Sequence, residues 1–248
     1  MRNTWTILCR ELGSLFLSPI AWIVMTAFYV AFGMRFSQVL ENADMIDTFY
    51  FMSLVMAFAM PMLTMRQIAE ERKSGRMELL ATAPVTDVEL VMGKFLGAFA
   101  FFIFILIPTV LYVGVLGLYS TFGPDKWMLA SGYIGMLLMG MFMLSFGLFV
   151  SSFSREQIIA GAVSANTLFL LWLLGQLLDP GGVGRASPDF WSQVRVALHH
   201  VGTFLAYNKH LLPFLRGLID TKEIIFFVSF TVFFLFLAVG TVSTRKWR

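Results

Sequence analysis

Cysteine, charge and histidine are all scarce in this chain. Of 248 residues one is cysteine, Cys9, three are histidine and 13% are charged. A single thiol excludes an internal disulfide, so covalent cross-links contribute nothing to this fold. The charged fraction is about half that of a soluble domain, which excludes an ordinary soluble globule. Eighteen basic residues against 15 acidic ones leave a formal charge of only +3, too balanced to indicate nucleic acid. Histidines cluster only as His199, His200 and His210, and adjacent histidines point to different faces of a helix. With no carboxylate or thiol to complete the set, no metal site is expected. Also missing is G-x-x-x-x-G-K-[ST]: Lys94 follows Gly93 but precedes Phe95, and Val88 stands where the first glycine would be. The chain is therefore not expected to bind ATP through a P-loop or to be an enzyme.

What the chain has in abundance is apolar side chain: 58% of residues, 27 of them Phe, with mean hydropathy +0.78. A membrane-crossing helix takes about 20 consecutive apolar residues. Six runs qualify, roughly residues 19 to 40, 49 to 65, 95 to 118, 127 to 153, 157 to 178 and 223 to 244. None carries a charge near its centre, and Arg35, at the end of the first, has a stem long enough to snorkel to the headgroups. The fold class expected is all-α and polytopic, a single unit over 1–248 with little sequence left for a soluble catalytic domain.

Orientation follows from basic residues. Placing both termini inside puts Arg2, Arg10, Arg66, Arg72, Lys73, Arg76, Lys94, Arg155, Arg245, Lys246 and Arg248 in cytoplasmic segments. The short outer loops keep only Arg35 and Lys126, and the remaining five lie in the long loop 179–222. The positive-inside rule thus predicts N-in and C-in. Residues 1–18 are not expected to be a cleavable leader, because Arg2, Arg10 and Glu11 interrupt any apolar core. Trp5, Leu8, Cys9, Leu12, Leu15 and Phe16 form one helical stripe, with Asn3, Thr6, Arg10 and Ser14 opposite. That pattern predicts a helix lying in the interface, either a simple anchor or a participant in signal transfer.

The densest charge cluster is the loop 66–94. The second span is expected to run on as a charged helix and stop at Gly75. Arg76 to Thr82 allow about two helical turns, and Pro84 forbids more. Thr86 and Glu89 then form a capping box for the third span, with Val85 and Leu90 as a hydrophobic staple. Leu79 and Leu80 on a short isolated helix suit either docking into a soluble partner's groove or resting on lipid headgroups.

Elsewhere, Pro61 and Pro108 are expected to kink the second and third spans. Ser164, Asn166 and Gln176 in the fifth span are read as interhelical hydrogen bonders or substrate contacts. The pairs Gly93/Gly97, Ser131/Gly135, Gly147/Ser151 and Gly161/Ala165 permit close helix packing within one subunit. In the loop 179–222, Ser187 and Pro188 begin a helix with a stripe at Phe190, Val194, Ala197, Val201 and Phe204. Leu211 to Ile219 form a piece too short to span, re-entrant or interfacial, and Asp220 with Glu223 cap the last span.

The run Pro61-Met62-Leu63-Thr64-Met65-Arg66, followed by Ala69-Glu70-Glu71-Arg72, Gly75, Glu78-Leu79-Leu80, Pro84 and Gly93-Lys94, resembles the type-2 ATP-binding-cassette (ABC) permeases. Phe214-Leu215-Arg216-Gly217-Leu218-Ile219-Asp220 is similar to the gliding-motility branch of that family. The resemblance implies an exporter or mechanotransmitter subunit of the cell (inner) membrane. Its partners would be a dimer of ABC ATPase subunits holding ATP and Mg, a second permease, identical or related, and a periplasmic or outer-surface component. It also implies that the ATPase docks on a coupling helix within 76–84, with Gly75, Arg76, Glu78, Leu79, Leu80 and Pro84 carrying the contact. Glu70, Glu71 and Arg72 would brace the approach, and the interfacial helix with Trp5, Leu8, Arg10 and Leu12 would lie beside it. Two alternatives share the composition. One is a non-transporting scaffold of a surface machine. The other is an intramembrane protease using Glu70 and Glu71, against which no span supplies a histidine at depth.

Overall fold

The computed structural model describes residues 2–39, 45–73, 85–119, 125–177 and 200–244. Ten helices are taken in chain order: α1 Arg2–Phe16, α2 Pro19–Val39, α3 Ile46–Thr64, α4 Ala69–Lys73, α5 Asp87–Leu106, α6 Thr109–Tyr119, α7 Lys126–Phe153, α8 Gln157–Leu177, α9 Tyr207–Leu215 and α10 Thr221–Ser243. Residues 200–205 are also helical, and the described residues contain no strand. Six stretches are long and apolar enough to cross a membrane: Pro19–Ser37, Ile46–Lys73, Asp87–Val115, Lys126–Phe153, Gln157–Leu177 and Thr221–Ser243.

Lipid is as apolar as phenylalanine, so burying Phe or Leu does not drive one span onto another; close contact does. The chain supplies that contact with small residues. At Gly147 of α7 a Cβ would stand 2.1 Å from Thr64 Oγ1 of α3, and at Gly140 it would stand 2.2 Å from the Phe102 ring of α5. Gly135 faces Leu211 and Phe214 of α9, and Gly161 faces Met65. Gly135 and Gly147 thus stand against other helices of the same chain, and Gly161 against the turn that follows α3. Spans α7 and α3 are consequently the most buried, at 67% and 61%, and form the hub around which the others pack. On the other side of α7, Phe142 and Phe146 meet Phe234 of α10 at ring centroids of 6.1 and 5.0 Å.

The helix expected to run unbroken from the second span is interrupted at residues 65–68. There Ser151 of α7 substitutes for missing helical bonds. Its Oγ accepts from the amides of Ile68 (3.3 Å) and Ala69 (3.2 Å) and donates to Met65 O (3.0 Å). Pro61 itself is accommodated within α3. Pro108 does break its helix, separating α5 from α6 through 3₁₀-like bonds Val110 N to Ile107 O and Leu111 N to Pro108 O, both 3.1 Å. Arg35 lies over the Phe51 ring at 5.1 Å, a cation–π contact within the protein.

Before the last span, the short apolar piece is the helix α9, beginning four residues earlier than expected. Tyr207, Asn208, Leu211, Phe214 and Leu215 are buried, so it is wedged into the bundle against α3, α7 and α8. It ends in a Schellman motif: Gly217 takes φ +80°, Leu218 N bonds Pro213 O (3.0 Å) and Gly217 N bonds Phe214 O (3.1 Å). The two-sided cap expected for α10 is one-sided. Asp220 accepts from Lys222 N at 3.1 Å, whereas Glu223 turns to His210. The helix expected from Ser187 lies outside the described residues apart from its end at 200–205.

Candidate functional site

Helix α1 meets α5 through a groove that two glycines keep open. A Cβ at Gly93 would stand 2.7 Å from Ile7 Cγ2, and one at Gly97 would stand 2.9 Å from Glu11 Cβ. The protein-facing edge of α1 therefore includes Ile7 and Glu11, and the predicted apolar stripe is only partly the buried face. Leu8 and Leu12 are half-buried, while Trp5 (66% exposed) and Cys9 face outward.

This docking carries Glu11 onto Lys94, the centre of a buried ion cluster. Helix α5 starts at Asp87, eight residues before the expected span, because the predicted capping box forms. Glu89 N donates to Thr86 Oγ1 (3.2 Å) and Thr86 N donates to Glu89 Oε2 (3.1 Å). Lys94 is consequently part of the spanning helix and 1% exposed. Its Nζ lies 2.9 Å from Glu11 Oε1, 2.9 Å from Glu71 Oε1 and 2.7 Å from Gln67 O, which uses all three ammonium protons. Arg10 Nη2 reaches the same two carboxylates at 3.2 and 3.1 Å. Gln67 Nε2 closes the ring on Lys94 O at 3.3 Å. Two cations and two carboxylates thus balance, which buried charges require.

Around the cluster, Arg66 Nε bonds Glu70 Oε2 (3.0 Å) and Arg66 Nη1 bonds Ser18 Oγ (2.9 Å), fastening the start of α2 to the turn after α3. Lys73 approaches Glu156 at 3.7 Å, linking α4 to the start of α8. Asn3 Nδ2 donates to Glu89 Oε2 at 3.4 Å. A cavity of about 470 Å³ opens between these groups, with Arg10, Glu70 and Arg66 on its polar side and Leu15, Ile20 and Met62 on its apolar side.

Of the residues expected to brace the coupling loop, Glu70 is therefore ion-paired to Arg66 in the turn after α3, and Glu71 to Lys94 of α5 and Arg10 of α1. The guanidinium nitrogens of Arg72 are buried and have no hydrogen-bond partner among the described residues. Gly75, Arg76, Glu78, Leu79, Leu80 and Pro84 lie outside the described residues. Three participants escaped sequence reasoning: Glu11, Lys94 and Gln67. Glu11 stands four residues from both Ile7 and Leu15, and Lys94 stands four and three residues from Leu90 and Val91, so each has apolar neighbours on its own helix face.

At the opposite end of the bundle a second polar network forms. Asn208 Nδ2 donates to Tyr50 OH (2.9 Å) and Trp172 O (3.1 Å), and Trp172 Nε1 donates to Ser53 Oγ (3.0 Å). Of the two roles expected for the polar residues of the fifth span, interhelical bonding is not made by Ser164 or Asn166 among the described residues. Both bond carbonyls of α8 itself, Ala160 O at 2.6 Å and Ala162 O at 2.8 Å. Gln176 is exposed. His210 faces Glu223 and Phe204 O (2.9 Å) and stacks on Phe226 with centroids 3.8 Å apart.

No curated protein matches the chain. Residues 38–194, well over half of its length, match the profile of the ABC-2 family transporter protein. Six spans, a hub of close-packed helices and that match together place the chain in the ABC-2 family, as a transmembrane permease subunit of an ABC transporter, partner to an ABC ATPase subunit.

Proposed function

We propose that the chain couples ATP hydrolysis by a separate ATPase pair to export, or to force transfer, across the cell (inner) membrane, in a complex of the gliding-motility type. ATP and Mg belong to the ATPase subunits. A second permease, identical or related, completes the membrane part, and an outer-surface component receives the output. Both termini are cytoplasmic, and the ATPase docks on the segment 76–84.

One observation carries this reading. Residues 74–84 are bounded by α4 and α5, and the Lys94 cluster pins those two helices to each other and to α1. A push on the loop is then delivered to α3, α5 and α1 together, as a coupling device requires. The buried donors of Arg72 beside the loop add capacity for a carbonyl or carboxylate acceptor. The test is co-purification with the ATPase after Leu79→Asp with Leu80→Asp. ATPase association and stimulation are expected to be lost, and their survival would remove the assignment of 76–84.

A further inference from the structure

The elbow where α1 turns into α2 holds a second cavity, of about 580 Å³, whose polar groups are hydrogen-bond donors. Arg10, Ser14, Leu17, Ser18, Pro19 and Arg66 line it, and no carboxylate of the described residues does. Arg10 directs Nη2 to Glu11 and Glu71, so its Nε and Nη1 have no partner among the described residues. Arg66 directs Nε to Glu70 and one proton of Nη1 to Ser18, and its Nη2 is likewise left over. Ser18 Oγ accepts that bond and keeps its own proton. Ser14 is exposed, and its hydroxyl makes no hydrogen bond among the described residues. Each of these donors alone would be satisfied by water. Two guanidinium groups and two hydroxyls on one cavity complement a group with several anionic oxygens, and phosphate is the group that guanidinium forks match best.

Depth identifies the source of that phosphate. The first stretch able to cross a membrane begins at Pro19, so Ser18 and Pro19 stand at the mouth of a span. Leu17 is 87% exposed, and Trp22, half-exposed one turn into the span, donates from Nε1 to Phe16 O at 2.7 Å. An outward indole at a span's end is the arrangement that the headgroup layer selects. Phospholipid phosphates lie in that layer, at the height of the cavity.

Charge identifies the headgroup. Arg10, Ser14, Ser18 and Arg66 also line the 470 Å³ cavity, whose further lining includes Glu11, Glu70, Glu71 and Lys94. Three cations there balance three carboxylates, so a net anion would leave a negative excess, whereas a zwitterion preserves the balance. Glu70 is partly exposed, and a carboxylate that accepts from Arg66 retains lone pairs for an ammonium. We infer that this elbow binds the headgroup of a phosphatidylethanolamine, its phosphate on Arg10, Ser14, Ser18 and Arg66 and its ammonium on Glu70. Ile20 and Met62, on the apolar side of the inner cavity, receive the start of the lipid tails. Bound in this way, the lipid ties α1, the start of α2 and the turn after α3 to one another. The inference is independent of where the ATPase docks, and the proposed topology enters only in naming the inner leaflet as the lipid's source.

The test uses the full chain in detergent, loaded in turn with phosphatidylethanolamine, phosphatidylcholine and phosphatidylglycerol and followed by native mass spectrometry and thermal unfolding. Phosphatidylethanolamine is expected to bind and to raise the unfolding midpoint. Phosphatidylcholine, whose ammonium has no N–H, and phosphatidylglycerol, which has no ammonium, are expected to bind about tenfold more weakly, the loss of one charge-assisted hydrogen bond. Ser14→Asp places a carboxylate on the donor wall at an exposed position. It is expected to lower phosphatidylethanolamine affinity about ten- to a hundred-fold while leaving the lipid-free midpoint unchanged, and Ser14→Asn is expected to retain binding. Glu70→Gln is expected to bring phosphatidylethanolamine down to the level of phosphatidylcholine. Undiminished binding by Ser14→Asp would overturn the cavity as the site. Equal binding of phosphatidylglycerol and phosphatidylethanolamine would overturn the ammonium contact. Stabilisation by inorganic phosphate or free phosphoethanolamine equal to that by the lipid would overturn the membrane as the source. ATPase association is read in none of these measurements, so their failure and the failure of the 76–84 assignment are distinguishable.

Discussion

Lys94 is the residue on which the base of the bundle depends. An ammonium this deeply buried is tolerated because two carboxylates and a carbonyl take its three protons. Removing one member of such a cluster costs about 3–5 kcal/mol, whereas replacing the whole set by neutral residues is about neutral. Lys94→Met is accordingly expected to lower the thermal unfolding midpoint of the detergent-solubilised protein sharply. Adding Glu11→Gln and Glu71→Gln should recover most of the loss, and failure to recover would show that the cluster does not act as a balanced unit. Asp220 shows the opposite, exposed case. Its hydrogen bonds from Lys222 hold its carboxyl below the usual carboxylate range. The cap's contribution is then present above the ordinary aspartate range, about pH 4, and is lost as pH falls through the lowered folded value. The stability difference between the wild type and Asp220→Asn, measured as unfolding midpoint against pH, is expected to vanish only at the acid end.

The break between α3 and α4 is an element-scale feature, set by a side chain on a different helix. Three backbone groups at 65, 68 and 69 depend on the one hydroxyl of Ser151, which approaches because Gly147, one turn away, leaves no Cβ against Thr64. Ser151→Ala strands those groups in a buried site, at about 1–3 kcal/mol for an unsatisfied group. Amide hydrogen exchange at Ile68 and Ala69 is expected to accelerate in that variant, with exchange in the middle of α3 unchanged; equal protection would show that water replaces the hydroxyl. Helix α1 shows the same dependence. Its apolar stripe is legible from spacing, yet the face that docks is chosen by the groove at Gly93 and Gly97 on α5.

At the scale of the molecule, the asymmetry of charge fixes what reaches which side. The clustered basic residues of 66–94 and the C-terminal Arg245, Lys246 and Arg248 share one side in the proposed N-in, C-in topology. A fluorescent protein fused after Arg248 is expected to mature and fluoresce, and alkaline phosphatase fused there to be inactive. The reverse pair of results would invert the topology and put 76–84 out of reach of a cytoplasmic ATPase. With the topology as proposed, the ion cluster, the Ser151 repair and the Arg66–Ser18 bond all lie at the ATPase end, where α1, α2, α3 and α5 converge.

Six spans, the capping box at Thr86 and the small-residue contacts were legible in the chain, because hydropathy, capping chemistry and the absence of a Cβ are local properties. The sequence by itself thus determined that this is an all-helical membrane protein and which loop concentrates its charge. Only the tertiary structure decided that Lys94 belongs inside a span, that Glu11 and Glu71 share it, and that Ser151 interrupts α3 from across the bundle. Those pairings join residues 23 to 86 positions apart in the chain, and no local pattern encodes them. The same distinction holds for Asn166: its polarity is written in the sequence, but its position on the outer face of α8 comes from the packing of α3, α7 and α9 against the opposite face of that helix.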